Sequence, residues 1–448
     1  MKVAVLGGGI TGLTTAFYLL RAGADVTVIE GRGQLGGLAT YFNFGEFWWD
    51  KFYHCILTSD GPLLQLIDDL GLTPSLQWNP TKVGFFADEK LYSMSTSLDF
   101  LRFRPLSLWQ KARLALGILY TCRIKDWHSL EGTLATEWLT RVFGEKNYQK
   151  MWGPLLKCKL GGCREQASAA FIWATITRLY STRDKNGSQQ ERLGYVQGGY
   201  RTVFERLVKA VSALGGHIVT DTPVRHIASH DGCLELELDG GRQRFDRVVA
   251  TIPSQPLAAI TPNLSDDYRR KLNAVTYLGI VCVTLVLKRK LSPFYVTNLA
   301  SEDFPFTGVI EMTNLISTDE TQGRHLVYLP KYTSPGDPLF EASNNEIWAV
   351  FRKHLMRVVP DFQDSDIEQR FTFRERFVQP VPTLHYSEIV PEMETGVEGL
   401  VLANTTQIIN STLNNNAMVK IARQAVEQIA KSSVRQSSER DAIPTTMA

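Results

Sequence analysis

Residues 2–30 constrain this chain more than any other stretch. Residues 2–6 (KVAVL) are a short, mostly apolar run, as expected of a strand buried on both faces of a parallel sheet. Gly7-Gly8-Gly9-Ile10-Thr11-Gly12 follows without a gap. From Ile10 to Ala22 the side chains Leu13, Phe17 and Leu20 recur at helical spacing, and Gly23 stands where a helix would end. Residues 24–30 (ADVTVIE) supply a second strand with an acid at its tip.

The pattern is G-x-G-x-x-G inside a strand–helix–strand unit, with Glu30 eighteen residues beyond the last motif glycine. Each part has a physical reason. Gly7 makes the tight turn, Gly8 continues it, and Gly9 lets backbone approach a pyrophosphate. Gly12 lets helix and strand pack closely, and the helix N-terminus offers free N–H groups and a positive dipole end. Glu30 is placed to accept hydrogen bonds from a ribose. The expectation is a dinucleotide site.

Composition removes several classes of function. The 448 residues are 44% hydrophobic and 21% charged, which excludes general disorder and leaves room for two or three domains. Lys and Arg total 48 against 46 Asp and Glu, a net charge of +2, so no whole-chain field favours nucleic acid. Six scattered cysteines without C-x-x-C read as thiols in a reducing compartment. No H-E-x-x-H occurs, and no metal is expected. A strand pattern beginning at Lys2 leaves no place for a signal peptide. The longest apolar run, 114–120, is seven residues, short of the ~18 that span a bilayer. The reading is a cytoplasmic protein, soluble or resting on a membrane surface.

The residues after the second strand specify the nucleotide. Glu30-Gly31-Arg32-Gly33-Gln34-Leu35-Gly36-Gly37 matches E-x-R-x-x-x-G-G. It resembles the N-terminal signature of the flavin-containing amine oxidase, protoporphyrinogen oxidase and phytoene desaturase superfamily. The phrases at 305–311 (PFTGVIE) and 326–332 (LVYLPKY) resemble a bacterial protoporphyrinogen-oxidase-like branch of NAD(P)/FAD-dependent oxidoreductases. The resemblance implies non-covalent FAD, held by Gly7, Gly8, Gly9, Gly12, Glu30, Gly31, Arg32, Gly36, Gly37 and Leu38. It also implies an α/β fold: a discontinuous Rossmann-type, glutathione-reductase-like FAD domain from 1–78, 194–258 and 395–432, and a mixed sheet-and-helix substrate domain from 79–193 and 259–394. Residues 433–448 are polar and are expected to be a disordered tail.

Local patterns fill in that frame. Residues 59–72 read as an amphipathic helix and 82–94 as a hairpin turning at Asp88-Glu89-Lys90; 107–178 is mainly helical, and 182–192 reads as an exposed loop. A helix from about Gly199 to Leu214 precedes strand patterns at 217–220, 224–227, 233–238 and 242–251. Residues 279–287 and 325–330 are strand-like, with a helix near 345–359. Residues 399–404 lead through an Asn-rich loop at 410–416 into a helix over 417–430. By resemblance, Val224 holds the adenine through its backbone, and Asn404 and Asn416 join the flavin segment. From pattern alone, Val224 is equally a strand core position.

Three departures from the family stand out. Cys282 occupies the strand position where flavin amine oxidases carry a lysine. The usual A-G-D is Ala403-Asn404-Thr405, and the acidic–basic pair of the last loop is Thr412-Leu413. These losses count against amine oxidation by oxygen. Absence of cysteine after residue 282 counts against covalent flavin attachment near the C-terminus.

Candidate catalytic residues are His54, Lys159 and Cys282. Residues 51–60 (KFYHCILTSD) resemble a UDP-galactopyranose mutase stretch with two histidines beside the flavin; His54 matches the first and Leu57 replaces the second. A structural role for His54 in the domain seam is the alternative. Lys159 suits orientation of an anionic substrate or, desolvated, a base; the alternative is a solvated helix end. Phe47, Trp48, Trp49, Phe52 and Tyr53 suit an apolar lining or a packed core. The 108–120 helix suits packing against the FAD domain or contact with a membrane. The functional expectation is hydride transfer from a substrate carbon to flavin N5, dehydrogenating or desaturating a small or lipid-like metabolite. A mutase acting on a nucleotide sugar and a catalytically silent flavin-binding protein are the alternatives. The oligomeric state has no signature.

Overall fold

The computed structural model describes residues 1–181, 192–230, 232–409 and 412–441. Two sheets organise it. The first is parallel and five-stranded, in the order His217–Val219, Asp25–Ile29, Lys2–Leu6, Arg247–Ala250, Leu400–Leu402. Its strands come from three distant parts of the chain. Side chains alternate along the central strand. Val3 and Val5 pack with the helices Ile10–Arg21, Gly199–Ala213 and Asn415–Asp441. Ala4 and Leu6 turn the other way, onto the antiparallel strands Val224–His230, Cys233–Leu238 and Gly241–Phe245. An all-apolar strand is thereby consumed on both faces.

The second sheet is mixed and seven-stranded: Ile367–Pro380, Tyr277–Leu287, His325–Thr333, Gly308–Glu311, Val296–Leu299, Val83–Ala87, Lys90–Ser93. Every residue of Tyr277–Leu287 is buried. Val281, Val283 and Leu285 pack with the helix Asn344–Val358. Ile280, Cys282 and Val286 face Phe44, Trp49 and Phe52. A helical layer including Leu108–Arg123, Gly153–Leu160 and Ala169–Ser181 has its own core around Trp138, Phe143 and Phe171.

Two expectations need correcting. The hairpin turn is Asp88-Glu89 alone, both left-handed (φ 48° and 55°), and Lys90 already belongs to the second strand. The final helix does not stop at 430; it runs Asn415–Asp441, into the segment expected as a tail. Lys, Arg, Gln and Glu without Gly or Pro sustain it. The rest of that tail, 442–448, lies outside the described residues, as do 182–191 of the expected loop and residues 410 and 411 of the Asn-rich loop.

Candidate active site

The glycine turn and the second glycine pair meet. Gly36 N–H donates to the Gly8 carbonyl at 2.9 Å, and Gly9 and Gly36 form a parallel bridge. A side chain at Gly12 would place its Cβ 1.9 Å from the Gly7 carbonyl oxygen, which is why helix and turn can close only on glycine. Glu30 ties the turn from below: one carboxylate oxygen accepts from Gly8 N–H at 2.7 Å and the other from Arg32 N–H at 2.9 Å. The helix Ile10–Arg21 begins at Gly9 with no side-chain cap. Its first N–H groups, beside cavity-lining Gly9, Ile10 and Thr11, form an anion site.

This cradle is one end of a cavity of about 1340 Å³. The other end is lined by Trp152, Leu155, Phe171, Ile280, Ile310 and Phe373, with Tyr53 and Tyr332. The two tyrosine hydroxyls lie 3.0 Å apart. Burial, then their mutual proximity, holds the Tyr53 pKa well above the usual value, and burial raises that of Tyr332, so both keep their protons. Glu375 receives both Arg32 (2.9 and 3.1 Å) and Lys51 (3.2 Å). Burial alone would raise its carboxyl; the two cations outweigh burial and hold it below the ordinary value of 4.5.

Of the residues expected at the cofactor, Gly7, Gly9, Glu30, Arg32, Gly36, Gly37, Leu38 and Asn404 line the cavity. Gly8 and Gly12 shape the cradle from behind. Gly31 packs on Pro223, and Val224, beside it in sequence, is outside the lining. Asn416 is also outside, because its amide oxygen accepts from Leu63 N–H at 3.0 Å at the start of the helix Gly61–Asp69. Asn404 reaches the wall with its side chain already spent. Its NH2 donates to the Ile252 carbonyl and Ser254 hydroxyl, and its oxygen accepts from the Thr406 N–H and hydroxyl.

The catalytic candidates separate. Cys282 is fully buried outside the lining, in the cluster that holds Tyr53, Tyr328 and Tyr332. Burial pushes its thiol up to about 12, which leaves no thiolate for chemistry. His54 does line the cavity; its Nδ1 lies 3.5 Å from buried Asp50 and its ring edge packs on Tyr200. Leu57, at the second histidine position, is buried outside the lining. Lys159 lines the cavity, and burial followed by the charge of Arg178 lowers its pKa to about 8. Of the expected aromatic lining, Phe52 and Tyr53 are present, whereas Phe47 and Trp49 are core and Trp48 is exposed. Tyr332 and Glu375 were invisible to motif reading, since each acts through a partner some three hundred residues away.

FAD fits these residues. The uncapped helix start matches its pyrophosphate. A Cβ on Gly37 would stand 3.2 Å from Gly9 Cα, closing the gap that bare backbone leaves open. The cavity exceeds the ~300–1,000 Å³ of ordinary small-molecule sites, as a dinucleotide with a substrate requires. Cys158, the one cysteine on its wall among the described residues, is held protonated by burial, its pKa about 11.

Fold and cavity together define a dinucleotide-binding α/β flavoprotein. The family model for flavin containing amine oxidoreductases matches residues 10–407, and the chain belongs to that family, with FAD as its cofactor. AofH of Mycobacterium tuberculosis, named as a flavin-containing monoamine oxidase, is 25% identical over 288 residues; the match covers 60% of this chain and 61% of that protein, so it spans about three fifths of that relative. The 15-cis-phytoene desaturase of Synechococcus elongatus is 22% identical over 389 residues, 80% of each chain. The solved structure of reduced UDP-galactopyranose mutase superposes with a TM-score of 0.75 at 14% identity, covering 96% of this chain and 95% of that one. Three reactions appear in those three names, so the shared frame does not choose among them.

Proposed function

We propose that this protein is an FAD-dependent oxidoreductase that dehydrogenates or desaturates an apolar metabolite. The observation that carries the reading is the continuity of one cavity from the glycine cradle to a wall of aliphatic and aromatic side chains. Bound FAD supplies a hydride acceptor. The chain's part is to fix a substrate carbon by shape, between Ile280, Ile310 and Phe373 on the sheet and Trp152 and Leu155 on the helical layer. Tyr53 and Tyr332, kept protonated, donate and accept hydrogen bonds without abstracting a proton. Among the described residues neither carboxylate on the wall is free: Glu30 is held by two backbone N–H groups and Glu375 by two cations. A protonated amine therefore has no counter-charge there, which supports carbon–carbon or carbon–heteroatom dehydrogenation of an apolar molecule over amine oxidation. The parallel sheet and its three source segments support the FAD-domain boundaries given above.

The test is the absorption spectrum of purified protein, then anaerobic addition of apolar candidate donors. Loss of the band near ~450 nm with one of them, and its return with an acceptor, is the expected result. If no donor bleaches the flavin while the reduced protein interconverts UDP-galactopyranose and UDP-galactofuranose, the mutase reading replaces this one. Flavin inert to both would make the protein a silent flavin binder.

Access for a lipid-like substrate has separate support. Among the described residues no helix is long and apolar enough to cross a membrane. The helix Leu108–Arg123 buries Leu114 and Gly117 yet leaves Leu108, Trp109, Leu116 and Tyr120 exposed, Trp109 by 76%. Exposed Arg102, Arg104, Arg123 and Lys125 flank that helix in sequence or lie at its end. This pairing suits an anionic bilayer surface. Cosedimentation with phosphatidylglycerol vesicles, lost in Trp109→Ser/Leu116→Ser, checks it.

A further inference from the structure

We infer that the substrate carries an anionic group, a carboxylate being the simplest, and that the Lys159 ammonium receives it. The inference rests on the oxidoreductase reading for the word substrate, but the site itself does not.

Among the described residues five basic side chains line the wall, Arg32, Lys51, Lys159, Arg374 and Arg376. Arg32 and Lys51 share Glu375, and Arg376 pairs with Glu341. Arg374 donates to the carbonyls of Ala342 and Thr372, though its buried Nε has no acceptor. Lys159 is the one of the five with neither a hydrogen bond nor an ion pair among the described residues; its neighbour is the face of Phe171, 5.6 Å from the ring centroid. Lys159 is half-buried, so its ammonium is only partly solvated and has no protein acceptor among those residues; an anion entering the cavity supplies one.

The position separates this charge from the cofactor's. Lys159 stands near the end of the helix Gly153–Leu160, in the helical layer, whereas the phosphate cradle is built on the first strand and helix. Around it the wall is Trp152, Leu155, Leu156, Ile172 and Phe171, so an apolar body with one acidic terminus fits. Among the described residues no carboxylate pairs with it. Its titration feels Arg178, itself bonded to Asp60. The segments packed against its helix carry Tyr148 and Lys150 (paired with Asp88), Cys163, Arg164 and Glu165 (paired with each other), and His325, Tyr328, Lys331 and Tyr332. Lys157, on the same helix, turns outward to Glu302.

The protonation state decides between anchor and base. With a pKa of about 8, Lys159 is mostly charged at neutral pH, when it holds an anion and cannot accept a proton. An ammonium anchor loses its charge as pH rises through that value, and a bound anion shifts the titration upward.

The experiment is calorimetric titration of the FAD-loaded protein with dodecanoate, hexadecanoate and pyrenebutyrate, each beside its primary amide and amine. At pH 7 at least one carboxylate is expected to bind about ten- to a hundred-fold more tightly than its amide, and its amine more weakly still. That preference falls above about pH 8. Lys159→Gln removes the preference while retaining FAD and the thermal midpoint; Lys159→Arg restores it and carries it to higher pH, because guanidinium does not titrate there. The proposal is overturned if no carboxylate outbinds its amide, if the amine binds best, or if the preference survives Lys159→Gln. Carboxylate preference in a protein whose flavin no compound bleaches would keep the anchor and remove the oxidoreductase reading. Bleaching by neutral compounds without the preference would do the reverse.

Discussion

The two ends of the cavity are made of different material. The nucleotide end is backbone: glycines whose missing side chains set the shape, an uncapped helix start, and one carboxylate that ties the turn. The substrate end is side chains borrowed from remote strands and helices, held by pairs such as Tyr53–Tyr332. Backbone tolerates no substitution but asks little of the rest of the sequence. A side-chain wall tolerates change one residue at a time, so substrate range can drift while the cofactor stays.

Substitutions should show that asymmetry. Gly12→Val is expected to do the most damage, at least ~3 kcal/mol with loss of bound flavin, because its Cβ would overlap the Gly7 carbonyl. Urea unfolding and the flavin content of the purified protein measure it. A Gly12→Val protein that keeps its flavin would break the distinction between the two ends. Asn404→Asp comes next, at about 1–3 kcal/mol in the same unfolding assay, since it would turn an oxygen toward the Ile252 carbonyl that now receives an N–H.

Glu375→Gln tests the side-chain contacts that tie Arg32 and Lys51 together and should cost less, about 1–2 kcal/mol at pH 7, because Arg32 is largely exposed. The sign with pH is fixed. The folded carboxyl titrates below its ordinary value of 4.5, so its stabilisation is present above that pH and lost as pH falls through the lowered value. Wild type and Glu375→Gln should converge in acid; a gap that persists there would mean that packing, not charge, holds the pair. Cys282→Ala is expected to be the mildest, about 1 kcal/mol of stability, with the rate of substrate-driven flavin reduction unchanged in stopped flow. A lost rate would return Cys282 to the site.

The same contrast explains what could be read beforehand. The strand–turn–helix–strand unit and its acid lie within thirty consecutive residues, and each has a local signature, so that unit was legible; Val224 and Asn416, expected beside it from distant segments, lie outside the lining. The far wall had no such signature. Glu375 meets Arg32 across 343 positions, and Tyr332 meets Tyr53 across 279. Cys282 was put by alignment at the family's lysine position, and it shares its strand face with cavity-lining Ile280. Strand periodicity could not reveal that a tyrosine-rich cluster encloses it. Asn416 failed differently: in a run of asparagines pattern offers no means of telling which one faces the cavity, and Asn414 and Asn415 are the ones on its wall.

The order of strands in the parallel sheet also sets when the molecule becomes itself. The first strand pairs with Arg247–Ala250, and that strand pairs in turn with Leu400–Leu402. On a ribosome the glycine turn emerges well before Arg247–Ala250 and Leu400–Leu402, so its sheet stays incomplete until those strands are made. Contacts this far apart in sequence slow folding and leave strand edges open meanwhile. Free FAD, by binding only the assembled cradle, draws that late equilibrium toward the native state. Cellular flavin supply should therefore govern how much of this protein accumulates, independently of how much is translated.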